Sequence, residues 1–413
     1  MRFSFLWLVL TNFVGVLLAV LLVFPEISGA LGSLTYGRWM PLHMEWHLYG
    51  WCSLPLLGLL MKEFLSRSEY GLSETRFILV VWSIGLLVGG GTFLTGHASG
   101  KLFLSWHGFS RVFFPMTLCL AWSVMATAWM RGWRGGCGAS GKAVEYFRGA
   151  ILLVLATVPL TLYYASSRTV YPPVNPHSGG ATGHSLMASS LGILGLFGVV
   201  PFFLRLEPRS RPFILLYWIP YALCWMAYLL IRHGSVSNEG IDQMAGLGLL
   251  VVLTPLLIVY YTCWRWPAGT SPWLWAFFGW WALLVVSGWV TFLPGVLDLI
   301  KFTNGMVAHA HLAMAGMITA FNFVILASIR GCHSEGNVGC FAGWRPFVVW
   351  NTGTLLMVLT LLAQGWREGA NPGVLFGGSD LTRALYAGRL LIGILMSAAS
   401  ILWLKTAWRR AWI

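Results

Sequence analysis

Apolar residues run through this chain in long stretches separated by short polar joints. At about 20 apolar residues per bilayer crossing, the pattern predicts twelve helical spans, at roughly 5–25, 41–61, 77–96, 107–130, 149–166, 183–204, 213–232, 243–262, 272–293, 305–329, 346–365 and 384–404. Barrel strands would alternate with period two, and these runs do not. Arg2 and the small residues from Ser28 to Gly32 imitate a signal peptide. The apolar run from Phe3 to Phe24 is too long for a signal h-region, so the first span reads as an anchor. No long polar linker, internal repeat or low-complexity tract breaks the series. The expected fold is therefore an all-α membrane protein with about twelve transmembrane helices, a single domain over 1–413.

Composition sharpens this. The 413 residues are 57% hydrophobic and only 9% charged, with a mean hydropathy of +0.73. A soluble domain carries about 25% charged residues, which excludes an ordinary soluble enzyme. The net charge of +13 does not describe a nucleic-acid surface, because the basic residues sit between the apolar runs. They set orientation instead. With both termini inside, 17 of the 26 Lys and Arg residues fall in inner segments, so the expected topology is N-in, C-in. The 24 Trp and 13 Tyr residues suit interfacial aromatic belts.

Nine of the ten histidines fall toward the outer side on this topology, with His333 alone inside. An imidazole in a membrane is costly and marks a ligand or proton site. In Asn304-Gly-Met-Val-Ala-His-Ala-His-Leu-Ala-Met-Ala-Gly316, His309 and His311 stand about 200° apart on a helix and cannot serve one metal from one face. They suit two cofactors on opposite sides, for which a pair of haems is the natural candidate. The plain alternative is a small-residue packing seam with two hydrogen-bonded imidazoles. In Tyr36-Gly-Arg-Trp-Met-Pro-Leu-His-Met-Glu-Trp-His47, His43 and His47 are spaced i, i+4 on one face. One of them would complete a bis-histidine haem with a histidine of span ten, while the other, and Arg38, would bind a haem propionate. No HExxH zinc pattern is present, and no CxxCH for a covalent haem. Cys332, His333 and Cys340 share one loop but lack a paired CxxC.

At these residues the chain resembles the haem-copper oxidase superfamily, closest to the catalytic subunit of cbb3-type cytochrome c oxidases and the large subunit of nitric oxide reductases. Gly37-Arg38 with Pro41-Leu42-His43 resembles the low-spin-haem segment of the second helix. Gly96-His97-Ala98-Ser99-Gly100-Lys101 resembles the loop between helices three and four, and Gly183-His184 the sixth-helix metal segment. Ala308-His309-Ala310-His311-Leu312 resembles the tenth helix, and Arg383-Ala384-Leu385 with Gly388 the cbb3 ending.

The resemblance implies two b-type haems: His43 and His311 on the low-spin haem, and His309 as the proximal ligand of the high-spin haem. It implies a second metal, copper or iron, on His184 and His233, with His177 as a candidate third ligand. Two departures stand out. Gly234 replaces the second histidine of the family's helix-seven pair, and Ala188 stands where nitric oxide reductases have a glutamate. Tyr228 is the candidate for the helix-seven tyrosine of cbb3 oxidases. The implied activity passes electrons from a periplasmic c-type cytochrome subunit, through the low-spin to the high-spin haem, to O2 or NO. The alternative is a non-catalytic electron-transfer subunit that kept the haems and lost the second metal. Either places the chain in a cell inner membrane, haems toward the periplasm, among other membrane subunits. Among the 13 carboxylates, none reads as deep in the inner half of a span, so no proton pump is expected. Glu45 and Asp298 read as loop or propionate partners.

Overall fold

The computed structural model describes residues 1–66, 68, 70–134, 141–170, 186–230, 241–331, 341–375 and 379–409. His177, His184, His233, Gly234, Cys332, His333 and Cys340 lie outside them. Helix covers every predicted apolar stretch within the described residues: α1 Arg2–Val23, α2 over 36–65, α3 Gly71–Leu94, α4 Phe109–Arg134, α5 Gly141–Ala165, α6 Leu186–Phe203, α7 Arg211–Leu230, α8 Ile241–Thr262, α9 Ser271–Thr291, α10 Asn304–Arg330, α11 Trp344–Ala370 and α12 Asp380–Arg409. Nine helices among the described residues are long and apolar enough to cross a membrane. The chain is an all-α protein with the features of a multi-pass membrane protein.

The helices fall into two compact units. The first comprises Phe3–Val14 and Pro25–Pro173, hence α2 to α5. The second comprises Gly15–Phe24 and Val174–Ile413, hence α6 to α12.

Aromatic rings set on glycines hold the first unit together. A Cβ on Gly89 would strike the Trp106 ring, and one on Gly90 would sit 2.7 Å from the Trp46 ring. Two neighbouring glycines on α3 thus admit two indoles where any side chain would push them out. Trp106 in turn stacks on Phe114 at 4.0 Å between centroids. In the second unit, α10 is the most enclosed of the apolar helices, with 72% of its apolar window buried. Its far half packs Phe323 on Trp273, with ring centroids 3.9 Å apart. The helix stops at Gly331, whose φ of +65° supplies a left-handed cap.

One sequence expectation needs correction. The fifth span was expected from 149, leaving Glu145 in a loop, but α5 begins at Gly141. Arg148 gives Nε–H to Glu63 Oε1 at 2.8 Å and Nη1–H to Glu145 Oε1 at 2.5 Å, and all three side chains are buried. Charge pairing lets helix and burial extend past the point where an apolar count stops. The unit therefore does carry buried carboxylates at the end of α2 remote from Arg38.

Candidate functional site

Two stretches of π-helix occur among the described residues, one containing His47 and starting three residues after His43, the other starting at the residue after His311. They are Trp46–Cys52 within α2 and Leu312–Ile318 within α10. A π turn widens the helix and turns carbonyls away from the i+4 amide; such bulges are common at functional sites. The released carbonyls are taken up in the same way in both helices. Five residues on, a hydroxyl reaches back, Ser53 Oγ to Leu48 O at 2.7 Å and Thr319 Oγ1 to Met314 O at 2.9 Å. A tryptophan of a neighbouring helix donates its indole N–H to the next carbonyl, Trp82 to Tyr49 O at 2.9 Å and Trp350 to Ala315 O at 2.8 Å.

His43 is half-buried, with Nδ1 3.0 Å from Thr11 O on α1. A carbonyl oxygen only accepts, so Nδ1 carries the hydrogen and the lone pair lies on Nε2. A main-chain carbonyl on the remote nitrogen is the usual support of a metal-binding imidazole. His47 lies 6.1 Å from His43 between ring centroids but is buried, with Nδ1 3.4 Å from Cys52 Sγ. Arg38 donates Nη1–H to Leu94 O at 3.0 Å. Gly96, at a φ of +90°, brings the following loop against its guanidinium; a Cβ there would meet Nη2 at 3.4 Å. Glu45 is fully buried, and its Oε1 accepts the Ser105 amide at 2.6 Å.

The loop from Gly96 to Gly108 gathers cations onto main-chain oxygens. Lys101 donates to Ala165 O and Ser167 O at 2.6 and 2.5 Å. Arg168 donates to Ser99 O at 2.8 Å and Ala98 O at 2.5 Å, and Arg111 to Tyr163 O at 2.9 Å. Burial lowers the Lys101 pKa, with Arg111 adding to the effect. The His107 pKa also falls below its usual value, through burial first and then the charges of Arg168, His97 and Arg111.

On α10, His309 and His311 point to different neighbours. His309 lies against α9, with Nδ1 3.4 Å from Ser287 Oγ. A Cβ on Gly288 would meet its Cε1 at 3.1 Å, so glycine there gives the imidazole its place. His311 turns back on its own helix and donates Nδ1–H to Val307 O at 2.8 Å, which again leaves the lone pair on Nε2. The donor chemistry of His43 and His311 thus fits axial ligation of haem iron through Nε2. Tyr228, on α7, packs its ring edge-on against Trp225 at 5.6 Å. Asp298 pairs with Lys301 at 2.5 Å. Among the described residues, no three His, Cys, Asp or Glu side chains come together as a metal site.

Sequence reasoning missed one feature of this site. The α10 N-terminus is held by Glu368 of α11, which is 2% exposed. Its Oε2 accepts the Asn304 amide at 2.8 Å, and its Oε1 accepts Asn304 Nδ2 at 2.6 Å and Gln364 Nε2 at 2.9 Å. Arg389 of α12 donates Nη1–H to Asn304 Oδ1 at 2.9 Å. The available signal was Gly365-Trp-Arg-Glu-Gly369, a small-xxx-small spacing that marks close helix approach.

Compared with models of known protein families and with curated proteins, the chain matches none.

Proposed function

We propose that the chain is a membrane oxidoreductase subunit that carries two b-type haems. His43 and His311 serve the low-spin haem and His309 the high-spin haem, with Arg38 and His47 toward the propionates. The observation that carries the reading is that His43 and His311 each give Nδ1–H to a main-chain carbonyl, the tautomer in which Nε2 is the basic nitrogen and the one a metal-binding imidazole usually adopts. A π turn that contains His47 and another that begins at the residue after His311 support it. The working topology is twelve spans with both termini inside, in a cell inner membrane with the haems toward the periplasm. The chemistry the haems supply is one-electron transfer and, at an open iron, binding of O2 or NO. A second metal would be held by His184 and His233, with His177 as third ligand and Tyr228 nearby in sequence order. Electrons arrive from a c-type cytochrome subunit, since the chain has no CxxCH of its own.

A second reading, a non-catalytic electron-transfer subunit, is favoured by Ala188 and Gly234, which remove a carboxylate and an imidazole from the metal site. Haem extraction with elemental analysis of the purified complex separates the two. Two haems and one copper or non-haem iron per chain support gas reduction. Two haems without a further metal support the electron-transfer subunit, and absence of haem overturns both.

A further inference from the structure

The start of α10 is held more firmly than a helix end needs. Its first amide and the Asn304 side chain both donate to one buried carboxylate, Glu368. Thr303 Oγ1 accepts the Gly305 amide at 3.1 Å. The chain enters through Phe302 at a φ of +62°, a left-handed conformation that a bulky residue adopts only when its surroundings impose it. Gly365 and Gly369, on either side of Glu368, allow α11 to lie backbone to backbone along this entry. A Cβ on Gly365 would land on the Gly305 amide, and one on Gly369 on the Leu299 carbonyl. Arg389, itself buried, supplies the opposite charge through Asn304 Oδ1.

This is a buried anion at the positive end of the helix dipole, one to two turns before His309 and His311. We propose that Glu368 is a positioning residue for these two histidines and, with Arg389, sets the electrostatic potential at the groups they bind. The inference rests on the haem reading above. A fixed negative charge in a low-dielectric interior favours the oxidised, more positive iron; a fixed positive charge favours the reduced one.

The test is an optical redox titration of the purified complex carrying Glu368→Gln, Glu368→Asp or Arg389→Gln, with haem content measured alongside. Glu368→Gln is expected to raise a haem midpoint, making that haem about tenfold more reduced at fixed solution potential, or about 59 mV for one electron. Glu368→Asp keeps the charge and should return the midpoint toward that of the unmodified protein. Arg389→Gln should shift it the opposite way, downward. A purely structural role would move both charge variants alike, toward haem loss or no change, and that result overturns the proposal. Absence of haem from the unmodified protein instead overturns the haem reading itself, so the two failures are distinct.

Discussion

The Nδ1 of His43 lies 3.0 Å from the carbonyl oxygen of Thr11. A single hydrogen bond from α1 therefore decides which ring nitrogen of His43 carries the hydrogen. His311 reaches the same tautomer by another route, bonding Val307 O in its own helix. Two imidazoles far apart in sequence thus share one tautomer.

On the proposed haem assignment, alanine substitution of His43, His309 or His311 should remove haem selectively. His309→Ala is expected to lose one haem per chain, and His43→Ala or His311→Ala the other, as read by haem extraction. Full retention of both haems in the double variant His309→Ala/His311→Ala would defeat the assignment.

The indole clamps on the π turns are expected to be stabilising. Trp82→Phe or Trp350→Phe keeps an aromatic ring but leaves Tyr49 O or Ala315 O without its N–H. The expected loss is about 1–3 kcal/mol, the cost of a buried unsatisfied carbonyl. Thermal unfolding in detergent, followed by intrinsic fluorescence, measures it.

At Gly365 even one methyl group is too much. Gly365→Ala should unseat α11 from the start of α10 and lower the melting temperature sharply. Gly58→Ala is the control, since a Cβ there meets nothing within 4 Å and alanine gains helix propensity of up to about 1 kcal/mol.

The Glu63–Arg148–Glu145 triad predicts a large asymmetric effect. Arg148→Met leaves two buried carboxylates facing each other and should cost about 3–5 kcal/mol. Restoring neutrality with Glu63→Gln and Glu145→Gln in the same chain should recover part of that loss. Equal stability of the Arg148→Met protein and the unmodified one would show that the triad contributes nothing.

His107 carries a pH dependence of definite sign. Its folded pKa lies below its unfolded value, so the unfolded state binds the proton more readily. The stability it contributes is complete above about pH 6.5 and is lost as the pH falls through the folded value. Proteolysis of the 96–108 loop should therefore accelerate on acidification, and His107→Gln should flatten that part of the profile.

The apolar runs were enough to locate the helices, because a bilayer-length apolar segment has no other way to satisfy its backbone. The i, i+2 spacing of His309 and His311 likewise sets them on different sides of α10. Pattern could not show the two π turns, since these depend on Trp82 and Trp350, whose indole N–H groups donate from other helices to the released carbonyls. Nor could it show Glu145 within a helix, because an isolated carboxylate reads as a loop until Arg148 and Glu63 neutralise its surroundings. Glu368 was hidden for the same reason: its role lies in the Asn304 amide, more than sixty residues earlier. Local hydrophobicity determined where this chain is helical. His311 takes its tautomer from Val307, four residues back on its own helix, but tertiary contact decided which nitrogen His43 presents and how firmly the start of α10 is held, because Thr11 and Glu368 lie on segments that the sequence keeps far from their partners.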